Sequence, residues 1–80
     1  MARSEYGKER IALFTRYFIE DNRPITVYQL MEMFEKYSGV KTYRQTVYSD
    51  LNEINLVIPL DRVRDRRTNA WIWFRKEVRE

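Results

Sequence analysis

Apolar residues recur with a helical period over most of the chain and with a period of two near its end. Ile11, Phe14 and Phe18 fall at i, i+3 and i+7, and Leu13 and Tyr17 widen the stripe. A first helix is predicted from about Gly7 to Asp21. Pro24 ends it by pushing Arg23 out of the helical region. Thr26-Val27-Tyr28-Gln29 has the form of a capping box, with the hydroxyl bonding a free amide and the glutamine reaching back. It opens a second helix to about Tyr37, with Val27, Leu30, Met31 and Phe34 as the stripe. Gly39 supplies a left-handed stop. Val40 and Lys41 read as a short extended piece. A third helix is predicted over roughly Thr42 to Ile54, burying Val47, Leu51 and Ile54, with Tyr43 one turn earlier. After Asn55 the period changes. Val57 to Val63 is β-branched and contains Pro59, which fits an edge strand. Asp65 to Asn69 has turn chemistry. From Ala70 to Arg75 the chain alternates, with Ala70, Ile72 and Phe74 on one face and Trp71, Trp73 and Arg75 on the other.

Three helices followed by a hairpin (about 57–75) with a basic tip is the order of a winged helix-turn-helix, an α+β fold. The 80 residues fit one small domain spanning 1–80. Hydrophobic residues make up 44%, enough for a compact core.

Neither cysteine nor histidine occurs. Disulfides, thiolate chemistry, imidazole acid–base work and the usual zinc sites are excluded together. With no Gly-rich phosphate loop or paired catalytic carboxylates either, no enzyme and no cofactor are expected. No apolar run is long enough to span a bilayer, and Met1 to Tyr6 lacks the apolar core of a signal peptide. A cytoplasmic protein without membrane contact is expected.

The net charge is +3, and its distribution is uneven. Residues 1–55 hold eight basic and eight acidic side chains, whereas residues 56–80 hold seven and four. The excess peaks at Arg62, Arg64, Arg66 and Arg67. A local basic patch is the footprint of an anionic partner, although a solvated charge run is the commoner origin of an Arg cluster.

The segment Arg44-Gln45-Thr46-Val47-Tyr48-Ser49-Asp50-Leu51 resembles the Arg-Arg-Thr-(Ile/Val)-Tyr-Arg-Asp-Leu signature of bacterial winged helix-turn-helix regulators. The nearest pattern is the N-terminal DNA-binding domain of WYL-type regulators, with DeoR-like repressors close behind. Arg23-Pro24-Ile25-Thr26 is similar to the Arg-Pro-(Leu/Ile)-Thr that precedes their second helix. The connection from Glu35 to Lys41 is similar to the WYL linker. The resemblance covers roughly residues 8–75 and implies a DNA-binding transcription regulator. Gln45 and Ser49 stand where the family usually carries Arg, which puts its affinity and base preference in doubt here. No effector domain follows the hairpin within these residues, so ligand sensing is not implied.

On a helical wheel Gln45, Ser49 and Asn52 lie almost opposite Val47, Leu51 and Ile54, with Thr42, Thr46 and Tyr48 on the flanks. A neutral polar face suits base edges: Gln pairs with adenine, and Ser or Thr bonds several bases. Thr42, Arg44, Gln45, Thr46 and Ser49 are therefore the candidates for base readout. Lys41, Tyr48 and the hairpin's Arg62, Arg64, Arg66 and Arg67 are the candidates for phosphates or the minor groove. Ordinary solvent-facing positions are the plainer reading of each. Asp50 and Glu53 read as structural, and Asp50, near the buried arc, is placed to bond another helix. Asp65 is expected to weaken the positive field at the hairpin tip.

For the tryptophans there are two readings. One Trp packs under the first helix and the other stays partly exposed, or Trp71 and Trp73 together form an exposed protein interface. Double-stranded DNA is thus the expected partner. A homodimer on a two-fold site would add affinity, although no dimer helix is evident. The alternative is a protein-docking inhibitor or adaptor that uses the hairpin or the Trp face; a phage-encoded protein would suit either role.

Overall fold

A computed structural model describes residues 5–76. Three helices and a three-stranded antiparallel sheet follow one another along the chain: α1 (Glu5–Glu20), β1 (Ile25–Thr26), α2 (Val27–Ser38), α3 (Arg44–Asn55), β2 (Leu60–Arg64) and β3 (Trp71–Arg75). The strand order is β1-β3-β2. This is a small α+β domain.

α1 forms where its stripe predicts. Its last turn closes through the amides of Asp21 and Asn22, which both donate to the Tyr17 carbonyl at 2.9 Å. Asn22 then takes a left-handed φ of 44°, a conformation Asn tolerates better than most residues. Its Oδ1 accepts from the Arg75 amide at 2.9 Å, tying the end of α1 to β3. The Tyr17 hydroxyl donates to the Arg23 carbonyl. Burial pushes its pKa up, Asp21 adds to that, and Arg23 opposes it, so the phenol stays a donor.

α2 starts as its sequence predicts. The Gln29 amide donates to Thr26 Oγ1 at 3.1 Å, and the Thr26 amide donates to Gln29 Oε1 at 3.0 Å. Gly39 adopts φ 74° and its amide donates to the Glu35 carbonyl. A side chain at Gly39 would meet open space, so its requirement there is conformational rather than steric crowding.

The core gathers Phe14 and Phe18 of α1, Leu30 and Phe34 of α2, and Val47, Leu51 and Ile54 of α3. Phe14 meets Phe34 edge-on at 6.5 Å. Ile25 and Trp73 cap the cluster from the sheet.

The hairpin register pairs Arg62 with Trp73, Val63 with Ile72 and Arg64 with Trp71. Directly paired residues share a face, so Arg62, Arg64, Trp71 and Trp73 lie together on the face that also carries buried Ile25. Val63, Ile72 and Phe74 lie on the other. β2 begins at Leu60 rather than near Val57. Residues 56–58 instead close the end of α3 with backbone bonds to Glu53 and Ile54. Val40 and Lys41 belong to no strand. The strand beside α2 is β1, two residues long and paired only to β3.

Candidate nucleic-acid interface

α3 begins at Arg44, two residues later than its sequence suggests, with Tyr43 extended (φ −116°, ψ 155°) as the capping position. The lead-in from Val40 alternates: Val40 is half-buried, Lys41 exposed, Thr42 buried and Tyr43 exposed. That is the period of an extended chain, not of a helix. Thr42 therefore turns inward and is 6% exposed. Its expected part in base readout is corrected on that ground, since an inward side chain on an extended segment cannot reach a base edge.

The outward face of α3 carries Gln45, Ser49 and Asn52, all exposed. Thr46 and Tyr48 are half-buried on the flanks. Tyr43 makes no side-chain capping bond, so the first amides of α3 lack the satisfaction that Thr26 gives α2. Arg44 is exposed, and its Nη1 donates to the Tyr28 hydroxyl of α2 at 3.1 Å.

Asp50 takes no part in this surface. It is 3% exposed and accepts two bonds from Arg10 of α1: from Nε to Oδ2, and from Nη2 to Oδ1 at 3.1 Å. The Arg10 guanidinium also lies 5.8 Å from the Phe34 ring centroid, so it touches all three helices. Asp50 was legible as a helix-to-helix group; Arg10 was not singled out. The signal was present, because Arg10 precedes Phe14 by four residues and so falls on the buried stripe of α1.

The hairpin turn is built by Asp65. Its carboxylate accepts from the Arg67 amide at 3.1 Å and from the Thr68 hydroxyl at 3.0 Å. Its carbonyl accepts from the Asn69 amide, and Asn69 is left-handed with φ 61°. Asp65 thus holds the turn that presents Arg66 and Arg67, both exposed. Arg62 and Arg64 are exposed as well, and both are stacked. The Arg62 guanidinium lies 4.4 Å from the Trp71 ring centroid and 5.4 Å from that of Trp73. Arg64 lies 4.7 Å from the Trp71 ring.

An exposed tryptophan pair is absent. Trp73 is 7% exposed and meets Tyr48 of α3 edge-on at 6.4 Å, while Trp71 is half-buried beside the two arginines. The physical reason is packing together with register: Trp73 joins the core, and the pairing of Arg62 with Trp73 and of Arg64 with Trp71 lays both arginines over the indoles. The Trp pair is therefore withdrawn as a protein-docking face. Among the described residues the most exposed large apolar side chains are Leu56 and Val57, after α3, at 86% and 83%.

Charges divide by region. From Lys41 to Arg67 the exposed charged residues are Lys41, Arg44, Arg62, Arg64, Arg66 and Arg67 against Asp61 alone. Over α1 and α2 and the link between them, exposed Lys8, Arg16, Arg23 and Lys36 face exposed Glu9, Glu20, Asp21, Glu32 and Glu35. Among the described residues no acidic cluster could hold a metal ion, and no helix is long and apolar enough to cross a membrane.

The chain matches no protein-family model, no curated protein and no solved structure.

Proposed function

We propose that this chain is a winged helix-turn-helix module that binds double-stranded DNA and acts as a transcription regulator. The observation that carries the reading is the division of charge: six exposed basic residues against one acidic one on α3, its lead-in and the hairpin, and near balance elsewhere. The polar, uncharged outer face of α3 lies within that basic frame. Gln45 and Ser49 read base edges in the major groove, joined by Asn52, which the exposed arc includes. Thr46, half-buried, contributes from the flank. Lys41 and the hairpin arginines hold phosphates or the adjacent minor groove, and Tyr48 supports the hairpin from beneath through Trp73.

The test is fluorescence anisotropy of a labelled random-sequence duplex at several salt concentrations. Binding should weaken steeply with salt, with a log–log slope of about −0.9 for each phosphate engaged. No binding at low salt would sink the reading.

A second reading, a protein-docking module, draws on one observation: Leu56 and Val57 stand in solvent side by side. Replacing both with Ser would leave duplex binding unchanged on the first reading and abolish partner binding on the second.

A further inference from the structure

The starts of α2 and α3 and the turn of the hairpin enclose an open cleft of about 250 Å³. Tyr28, Arg44, Thr68 and Asn69 give it polar lining, while Tyr48 and Trp71, which also line it, are half-buried and pack against the core. No carboxylate lines it. Its size argues about its occupant. Small-molecule sites start near 300 Å³ and are enclosed and mostly apolar. This cleft is smaller, open and arginine-bearing, which suits one segment of an extended anionic polymer.

Arg44 does not belong to the outward face of α3. At 3.6 residues per turn it sits about 100° round from Gln45, on the same flank as Tyr48 one turn later. Its bond to Tyr28 holds it toward α2 and toward this cleft. That bond uses one of the five guanidinium donors. The Tyr28 oxygen accepts it, which leaves the phenol hydrogen to be given to another acceptor. The pair thus offers a charged fork and a neutral donor side by side, a set that fits phosphate oxygens.

We propose that this cleft takes a phosphate of the DNA backbone, gripped by Arg44 and Tyr28 together, so that Arg44 positions the strand and does not read a base. The proposal rests on the DNA-binding reading. It reverses the role that the sequence alone gives Arg44, and it brings in Tyr28, which the sequence did not single out.

The experiment is a double-mutant cycle on the intact chain, read by duplex anisotropy across salt concentrations and across duplexes of different sequence. Tyr28→Phe keeps ring and charge and should weaken binding about tenfold, with the salt slope unchanged. Arg44→Gln should weaken it further and make the slope shallower by about 0.9. The double variant should lose clearly less than the sum of the two single losses, because the two groups act on one phosphate and on each other. Every loss should be equal for all duplex sequences. Both side chains are exposed, so the fold should survive each change, which thermal unfolding checks. A loss at Arg44 confined to one base position, or fully additive losses, would overturn the proposal while leaving the DNA reading standing. A wild-type chain that binds no duplex would overturn both.

Discussion

Arg10 and Asp50 show how a residue can follow a structural rule that periodicity alone does not display. Each occupies a position on a buried helical stripe, and each is charged. Neither charge is tolerable there without the other, since removing one partner of a buried pair strands the other. Asp50→Ala should therefore lower stability by about 3–5 kcal/mol, measured by urea unfolding. Replacing both residues, Arg10→Met with Asp50→Leu, should recover most of that loss. A single variant as stable as the wild type would contradict this account of the bridge. Half of the pair was legible: Asp50 next to Leu51 on the arc already pointed to a bond between helices. Its partner lies 40 residues away in sequence, and nothing local marks which charge meets it. Thr42 illustrates the opposite case. A polar β-branched residue just ahead of a helical stripe reads as helix start, yet the backbone there is extended and turns it inward. The backbone conformation of the lead-in decides: a helix would set Thr42 on the flank of α3, and the extended chain turns it inward.

At the scale of elements, the helices were legible because their signals are local. The capping box at Thr26 and Gln29 and the glycine at position 39 each fix an end through neighbours within a few residues. Strand β1 was not legible. Two residues have no period, and β1 exists only because Ile25 and Thr26 meet Trp73 and Ile72 across the fold. The hairpin was read correctly as to its faces, and of the two readings of the tryptophans the one with a single Trp packed inward and the other partly exposed is the one that fits, with Trp73 buried and Trp71 half-buried. Buried Trp73 has no hydrogen-bond partner for its Nε1 among the described residues, so its indole is held by the core, by Tyr48 and by the Arg62 cation. Trp71 instead organises two cations. Stacking fixes the planes of Arg62 and Arg64, at roughly 0.5–1 kcal/mol for each exposed pair, and on the proposed function leaves their edge donors for phosphates. Trp71→Ala should thus weaken duplex binding several-fold without changing the salt slope, because every charge remains. Trp71→Tyr, which keeps an aromatic face, should restore most of the affinity. Unchanged affinity in the alanine variant would mean that the stack does not organise these arginines.

Across the whole molecule the described surface has two characters. α1 and α2 carry charges of both signs in near balance, and the apolar Leu56–Val57 step lies at the far end of α3 from Arg44. The N-terminal half of α3, its lead-in and the hairpin carry the basic excess around an uncharged polar centre. The sequence located the excess in its last third and set the hairpin beside α3; the contact that joins them, Tyr48 on Trp73, depends on how the hairpin folds back. Two hydrogen-bonded carboxylates explain how acidic residues coexist with that surface: Asp50 is buried against Arg10, and Asp65, half-exposed, is bonded within its own turn. The central claim, that this surface meets a DNA duplex, is tested most directly by amide chemical-shift mapping of the labelled protein as a short duplex is added at low salt. The account predicts shifts gathered at Lys41, Arg44, Gln45, Ser49 and Asn52 and along the hairpin from Arg62 to Trp71, with Leu56 and Val57 unmoved. Shifts confined to Leu56, Val57 and α1, or none at all, would contradict it.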